Sequence, residues 1–328
     1  MTSQHASVLA RLEQARFIRR AALALAMIAF AARGLAQQTA TSQSAQSLEQ
    51  LAAEARAWVA APARQSALEA FAPALDLRYR EYDAARPLRL WLAKIDLTQP
   101  GVGFVLTEPT AFEGPDAPYD TRCANTLEFA EQRHTQLAIN TSAFRPFRGS
   151  AGLPMDVVGL AAVAGRTYSE PDERFGALYV AQDGRVSLKG PPPPQDALWH
   201  VVPGFRMLLD DGRLAVAEGV ARSRFGGVNP RTAVGADRAS HTLWVVVADG
   251  RQPGVSEGIT LVELACLFES LGCWDALNLD GGGSSTLVVQ GADGSQRVLN
   301  TPVGRGAPGT LRQVANNLGL RLPGDGLR

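Results

Sequence analysis

At 328 residues, 46% hydrophobic and 20% charged, the chain carries enough apolar material for one large core or two ordinary ones. Its 32 basic and 32 acidic residues cancel, which excludes the basic footprint of a nucleic-acid binder and a polybasic membrane patch. Lys94 and Lys189 are the only lysines and neither follows a glycine-rich loop, so a Walker-type phosphate loop is excluded as well.

Residues 1–36 have the layout of a secretory signal. Arg16, Arg19 and Arg20 precede an apolar run over 21–32, and Gly34-Leu35-Ala36 offers small residues before a cleavage point. That run is too short to span a bilayer comfortably, so the mature protein is expected outside the cytoplasm, periplasmic or secreted, with no stable membrane span. Residues 37–74 read as a linker followed by an accessory helix over 48–60, with Ser47 as its N-cap. From Leu75 the apolar period becomes two. Leu88, Leu90 and Leu92 alternate with other residues up to Leu97, and Pro100-Gly101 ends that strand. A strand over 102–106, a helix over 126–136 and a buried strand ending at Asn140 follow. Short strands are expected over 160–163, 177–180 and 186–188, then a hairpin about Asp210-Asp211-Gly212. The strand over 243–248 ends at Asp249. Thr260 caps a helix that carries Glu263 and stops at Gly272. Cys123, Cys266 and Cys273 make no metal-ligand pattern and are expected as buried free thiols.

The densest stretch is 275–289. Leu277 and Leu279 belong to one buried strand and Leu287, Val288 and Val289 to another; between them lie Asp280, Gly281, Gly282, Gly283, Ser284 and Ser285. Glycines let backbone N–H groups approach a ligand closely, and successive free N–H groups with two hydroxyls would form an anion cradle beside the Asp280 carboxylate. Asn140, Asp249 and Asp280 all end strands, so they converge on one cleft if those strands are neighbours in one sheet.

Five motifs carry a resemblance. They are Ala138-Ile139-Asn140 before an aromatic, Arg231-Thr232-Ala233-Val234-Gly235, Ala248-Asp249-Gly250-Arg251, the stretch from Gly258 to Ala265, and Leu277 to Ser285. In this order they resemble the phosphodiester glycosidase family, from about Leu88 to Leu320. One departure is Thr141-Ser142-Ala143-Phe144, where the family has a glycine-rich turn. The resemblance implies an α+β fold, a mixed multi-stranded sheet with flanking helices, as a single catalytic domain over 75–328. It also implies cleavage of a sugar-1-phosphodiester at the anomeric carbon, in cell-wall, exopolysaccharide or glycan metabolism. The partner is then a sugar-phosphate or polysaccharide substrate, and no cofactor is expected.

That chemistry needs carboxylates around the anomeric carbon, for which Asp280, Asp249 and Glu263 are the candidates. It also needs phosphate ligands, for which Arg231, Asn140, Thr232, the three glycines and Ser284 and Ser285 are the candidates, Arg231 as the bidentate partner. Two alternatives compete. One is a secreted sugar-phosphate or polysaccharide-binding protein without catalysis. The other is a serine hydrolase using Ser284 or Ser285, although His134, His200 and His241 lie outside all five motifs.

Overall fold

A computed structural model describes residues 46–68, 73–83, 86–113, 119–190 and 198–322. The signal-like segment and the prolines at 191–194 lie outside the described residues. Residues from Leu48 onward form one compact unit built on an eight-stranded sheet. In spatial order its strands are Arg64–Ala67, Leu75–Tyr82, Leu88–Asp96, Thr242–Ala248, Arg231–Ala236, Asp275–Asn278, Met207–Asp210 and Arg213–Leu214. Every neighbouring pair is antiparallel.

Alternation along these strands divides the core between two faces. Leu88, Leu90, Leu92, Trp244 and Val246 pack beneath the helices Leu261–Ser270 and Leu48–Val59. Trp91, Ala93, Ile95, Val245 and Val247 face the other way, onto Ile139, Leu287 and Leu318 of a five-stranded sheet and Leu178 and Val202 of another. The chain is therefore layered as helices, central sheet, and facing sheets. Both faces of the central strands are buried, so those strands read as nearly continuous apolar runs.

The helix Leu48–Val59 belongs to this unit and packs on Leu261–Ser270. The helix expected over 126–136 ends at Arg133. There His134 takes a left-handed conformation, φ 51°, and Gln136 N–H already bonds Leu320 O of the facing sheet. The hairpin turns at Asp211 and Gly212, φ 52° and 71°. All three cysteines are free and buried. Asp249 and Asp280 follow strands of the central sheet, whereas Asn140 ends a strand of the facing one, so the three do not share a sheet. Among the described residues no helix is long and apolar enough to cross a membrane.

Candidate active site

Antiparallel pairing explains how distant residues meet. The strand Arg231–Ala236 runs against both neighbours, with Arg231 opposite Ala248 and Ala233 opposite Asn278. Its first residue therefore lies at the sheet edge where the other two strands finish. Arg231, Asp249 and Asp280 all collect there.

Asn140 joins the facing sheet to this edge. Its Nδ2 donates to Asp280 O at 2.6 Å, and its Oδ1 accepts from Thr232 Oγ1 at 2.8 Å and Thr286 N–H at 3.1 Å. Asp280 N–H donates to Thr141 O at 2.6 Å. The Asp280 backbone is thus clamped from both sides by the facing sheet. Asn140, Thr232 and Ser284 are buried and act as this scaffold beneath the cleft, and Ser285 is buried with its hydroxyl unpaired.

The glycine turn works differently from the cradle expected of it. Gly282–Ser284 is a 3₁₀ turn, in which Gly282 N–H donates to Pro230 O, Ser284 N–H to Gly281 O and Ser285 N–H to Gly282 O. Those three N–H groups are occupied within the protein and do not form an open nest. The glycines instead admit two guanidinium groups. Gly282 has φ +61°, and a Cβ there would lie 2.9 Å from Arg251 Nη2; one on Gly283 would collide with the Arg312 guanidinium. Arg251, itself left-handed at φ 59°, donates through Nε and Nη2 to Asn229 Oδ1. Arg312 donates to Gly304 O and, at 3.4 Å, to Ser284 Oγ.

The resulting cleft of about 580 Å³ is cationic. Arg224, Arg231, Arg251 and Arg312 line it, with Asp280 the one carboxylate among its lining residues and Phe205 and Phe225 forming an apolar wall. Burial pushes the Asp280 carboxyl up to about 6, against the Ser284 hydroxyl and Gly281 N–H that donate to it and the nearby Arg312 and Arg251 charges. Arg231 is 3% exposed; burial, with Arg251 beside it, lowers its guanidinium to about 10. Its Nη2 donates to Phe225 O and Gly227 O, both at 2.6 Å, and its Nε to Ile259 O at 3.3 Å. Arg231 therefore also holds the loop that forms one lip of the cleft.

Two of the three expected carboxylates are not brought to the cleft. Asp249 is 1% exposed and accepts from Thr301 N–H at 2.9 Å and Asn300 Nδ2 at 3.0 Å. The same Nδ2 donates to Ser285 O, so Asp249 braces the far end of the glycine–serine turn. Glu263 sits in the first turn of its helix in a reciprocal capping box with Thr260, and pairs with Arg86 at 2.6 Å. It lines a separate cavity of about 310 Å³ beside the helix Leu48–Val59. Among the described residues no histidine lines the cleft. A cluster of Asp210, Asp211 and Asp275 lies elsewhere, and Lys189 Nζ sits 2.7 Å from the first two. Sequence reasoning missed Arg312, Phe205, Phe225 and Asn278 as cleft residues. It also missed Arg251, for which a signal exists: the residue follows an Asp-Gly pair at a strand end.

The phosphodiester glycosidase family matches residues 133–321, more than half of the chain and all of the cleft. The chain belongs to this family. Family and fold are those of a hydrolase. The catalytic domain of zebrafish N-acetylglucosamine-1-phosphodiester alpha-N-acetylglucosaminidase, auto-inhibited by its pro-peptide, has a similar fold: TM-score 0.57 at 19% identity, over 80% of this chain and 89% of that one. A hypothetical protein from Synechocystis gives a TM-score of 0.51 at 15% identity, over 80% of this chain and 64% of that one. The SPbeta prophage-derived uncharacterized protein YomE of Bacillus subtilis is 30% identical over 196 residues. That match takes in 55% of this chain and 29% of YomE, so the chain spans under a third of that relative's length.

Proposed function

We propose that this family member hydrolyses a sugar-1-phosphodiester at the anomeric carbon. The observation that carries the reading is one carboxylate, Asp280, set among guanidinium groups on the floor of a cleft with an aromatic wall. The C1–O bond breaks with its electron pair leaving on the phosphate, and water supplies the hydroxyl that ends on C1, its remaining proton being taken up by the released phosphate monoester. Asp280 faces the positive charge that develops at C1 in the oxocarbenium-like transition state. Arg251 and Arg312, with Arg231 behind them, take the leaving phosphate, so charge is stabilised where it accumulates. A phosphate leaves readily, which is consistent with a cleft that offers one carboxylate rather than two.

Turnover of a chromogenic sugar-1-phosphodiester in ¹⁸O-labelled water tests the reaction. Label in the sugar is expected; label in the phosphate would mean P–O cleavage and overturn the reading. Export is the second part of the proposal, supported by the arginine-flanked apolar run before Gly34-Leu35-Ala36. N-terminal sequencing of periplasmic or secreted material is expected to start near Gln37, and an intact Met1 there would refute it.

A further inference from the structure

Exposed aromatic side chains are few, and their placement is uneven. Among the described residues, Phe147, Trp199 and Phe225 are the exposed phenylalanine, tyrosine or tryptophan side chains. Two of the three stack on arginines that line the cleft, Phe225 on Arg231 and Phe147 on Arg312. Phe225 belongs to the apolar wall already described. Phe147 is the most open of the three, at 72% exposure, with the Arg312 guanidinium 5.3 Å from its ring centroid.

A hairpin holds Phe147 in place. The strand Phe144–Arg145 pairs with Pro154–Val157, and the buried Phe144 ring meets Phe147 edge to face at 5.1 Å. Polar groups of this hairpin bond within the protein. Arg145 pairs with Asp156 at 3.6 Å, Arg148 Nη2 donates to Tyr119 Oη at 3.4 Å, and Gly149 O accepts from Arg305 Nη2 at 3.1 Å. Of its apolar side chains, Phe147 and the 40% exposed Leu153 are left uncovered. An apolar ring left open beside a ligand cleft gains free energy when the ligand covers it.

A phosphodiester has two substituents, and the cleft meets them differently. Its floor runs from Asn278, where Phe205 N–H donates to Asn278 O at 2.7 Å, through Asp280 to Gly283 under the Arg312 guanidinium. A phosphate on Arg312 with its anomeric carbon at Asp280 therefore points the sugar toward Phe205 and Phe225. The other ester oxygen leads away past Arg312, where Phe147 stands. A second sugar there would need partners for its hydroxyls, and the polar groups of the hairpin are already engaged.

We propose that the substituent on the far side of the phosphate is apolar, an alkyl or isoprenoid chain, and that it leaves the cleft across the open face of Phe147. The inference rests on the reading of the cleft as a sugar-1-phosphodiester site and adds the class of the second substituent and the residue that meets it.

Calorimetric titration with methyl phosphate, octyl phosphate and galactose 6-phosphate tests it, since cleavage at an anomeric carbon consumes none of them. The wild-type protein is expected to bind octyl phosphate about tenfold or more tighter than methyl phosphate, the scale of covering one phenyl ring, and galactose 6-phosphate no tighter than methyl phosphate. Phe147→Ala is expected to bring the octyl-to-methyl ratio within twofold of one, and Phe147→Leu to keep most of it. That ratio does not move if the ring only steadies Arg312, because both esters use the same guanidinium. No octyl preference in the wild-type protein, a preference that persists in Phe147→Ala, or tighter binding of galactose 6-phosphate than of octyl phosphate would each overturn the inference. So would Phe147-dependent pelleting with phosphatidylglycerol vesicles in the absence of any octyl preference, which would give the ring to a membrane surface instead. The catalytic reading fails separately, as an octyl preference in binding without turnover of methyl or octyl α-N-acetylglucosaminyl phosphodiesters.

Discussion

Asp280→Asn removes a charge while keeping the shape of the side chain, and it is expected to make the protein both more stable and less active. The folded carboxyl ionises at about 6 against an ordinary value of 3.8, chiefly because it is buried. The sign follows from linkage. A carboxyl whose folded value is raised holds its proton more tightly in the native state, so native stability falls as pH rises through that window. Above it, the partly buried carboxylate costs at most roughly 3 kcal/mol, less what the open cleft screens, since each pH unit separating the folded from the ordinary value is worth about 1.4 kcal/mol. Asparagine carries no such cost. The variant is expected to melt about 5 °C above the wild-type protein at pH 8 and at the same temperature at pH 4. Its kcat is expected to fall roughly a hundredfold or more, the scale of losing a group that acts in the chemical step. Scanning calorimetry at the two pH values, with initial rates on a sugar-1-phosphodiester, measures both effects. A melting difference equal at pH 4 and pH 8 would refute the electrostatic argument, and wild-type turnover would refute the role.

Three further variants test the rest of the cleft. Arg231→Lys cannot bond the carbonyls of Phe225, Gly227 and Ile259 together, so it is expected to lower the melting temperature and raise KM about tenfold; unchanged kinetics would remove Arg231 from the site. Gly282→Ala adds a Cβ at φ +61° and 2.9 Å from Arg251 Nη2, costing ~1–2 kcal/mol of backbone strain and displacing that guanidinium. Its kcat/KM is expected to drop more than tenfold, and a fold-neutral, fully active variant would mean that Arg251 is idle. Glu263→Gln keeps the helix cap and loses the Arg86 pair, so stability is expected to fall by about 1 kcal/mol with kcat/KM within twofold. A tenfold loss of activity would return Glu263 to the reaction.

The floor of this cleft at Asp280 was legible in the sequence because strand ends interrupt an apolar pattern abruptly. Leu277 and Leu279 followed by Asp280 and three glycines, or Ile139 followed by Asn140, mark the points where a buried strand becomes polar. The roles beyond those points were harder to read. Asp249 and Asp280 have the same strand-end signature, and only the partners that the fold supplies, Asn300 and Thr301 for one and open cleft for the other, separate brace from reactant. Glu263 three residues after Thr260 was already the pattern of a capping box, a local explanation that leaves no carboxylate over for catalysis. Arg312 and Phe225 sit on loops without periodicity, so no spacing rule places them; loop-to-turn contacts across the fold bring them in. That Asn140 ends a strand of a different sheet from those before Asp249 and Asp280 was not legible, because alternation shows that a face is buried but not which layer covers it.

The central placement of the strand Arg231–Ala236 also fixes how the cleft moves. All six of its residues are buried, and it bonds to a neighbour on each side, so its amides open only with the whole sheet. The loop that Arg231 holds through Phe225 and Gly227 exposes Arg224, Phe225 and Val228, and the short helix before it has no fully buried residue. Amide hydrogen exchange is therefore expected to split the cleft into a slow floor and a fast lip. A bound sugar phosphate is expected to protect the lip alone. The entropy of ordering that one loop then enters KM, while the geometry around Asp280 is already set in the free protein.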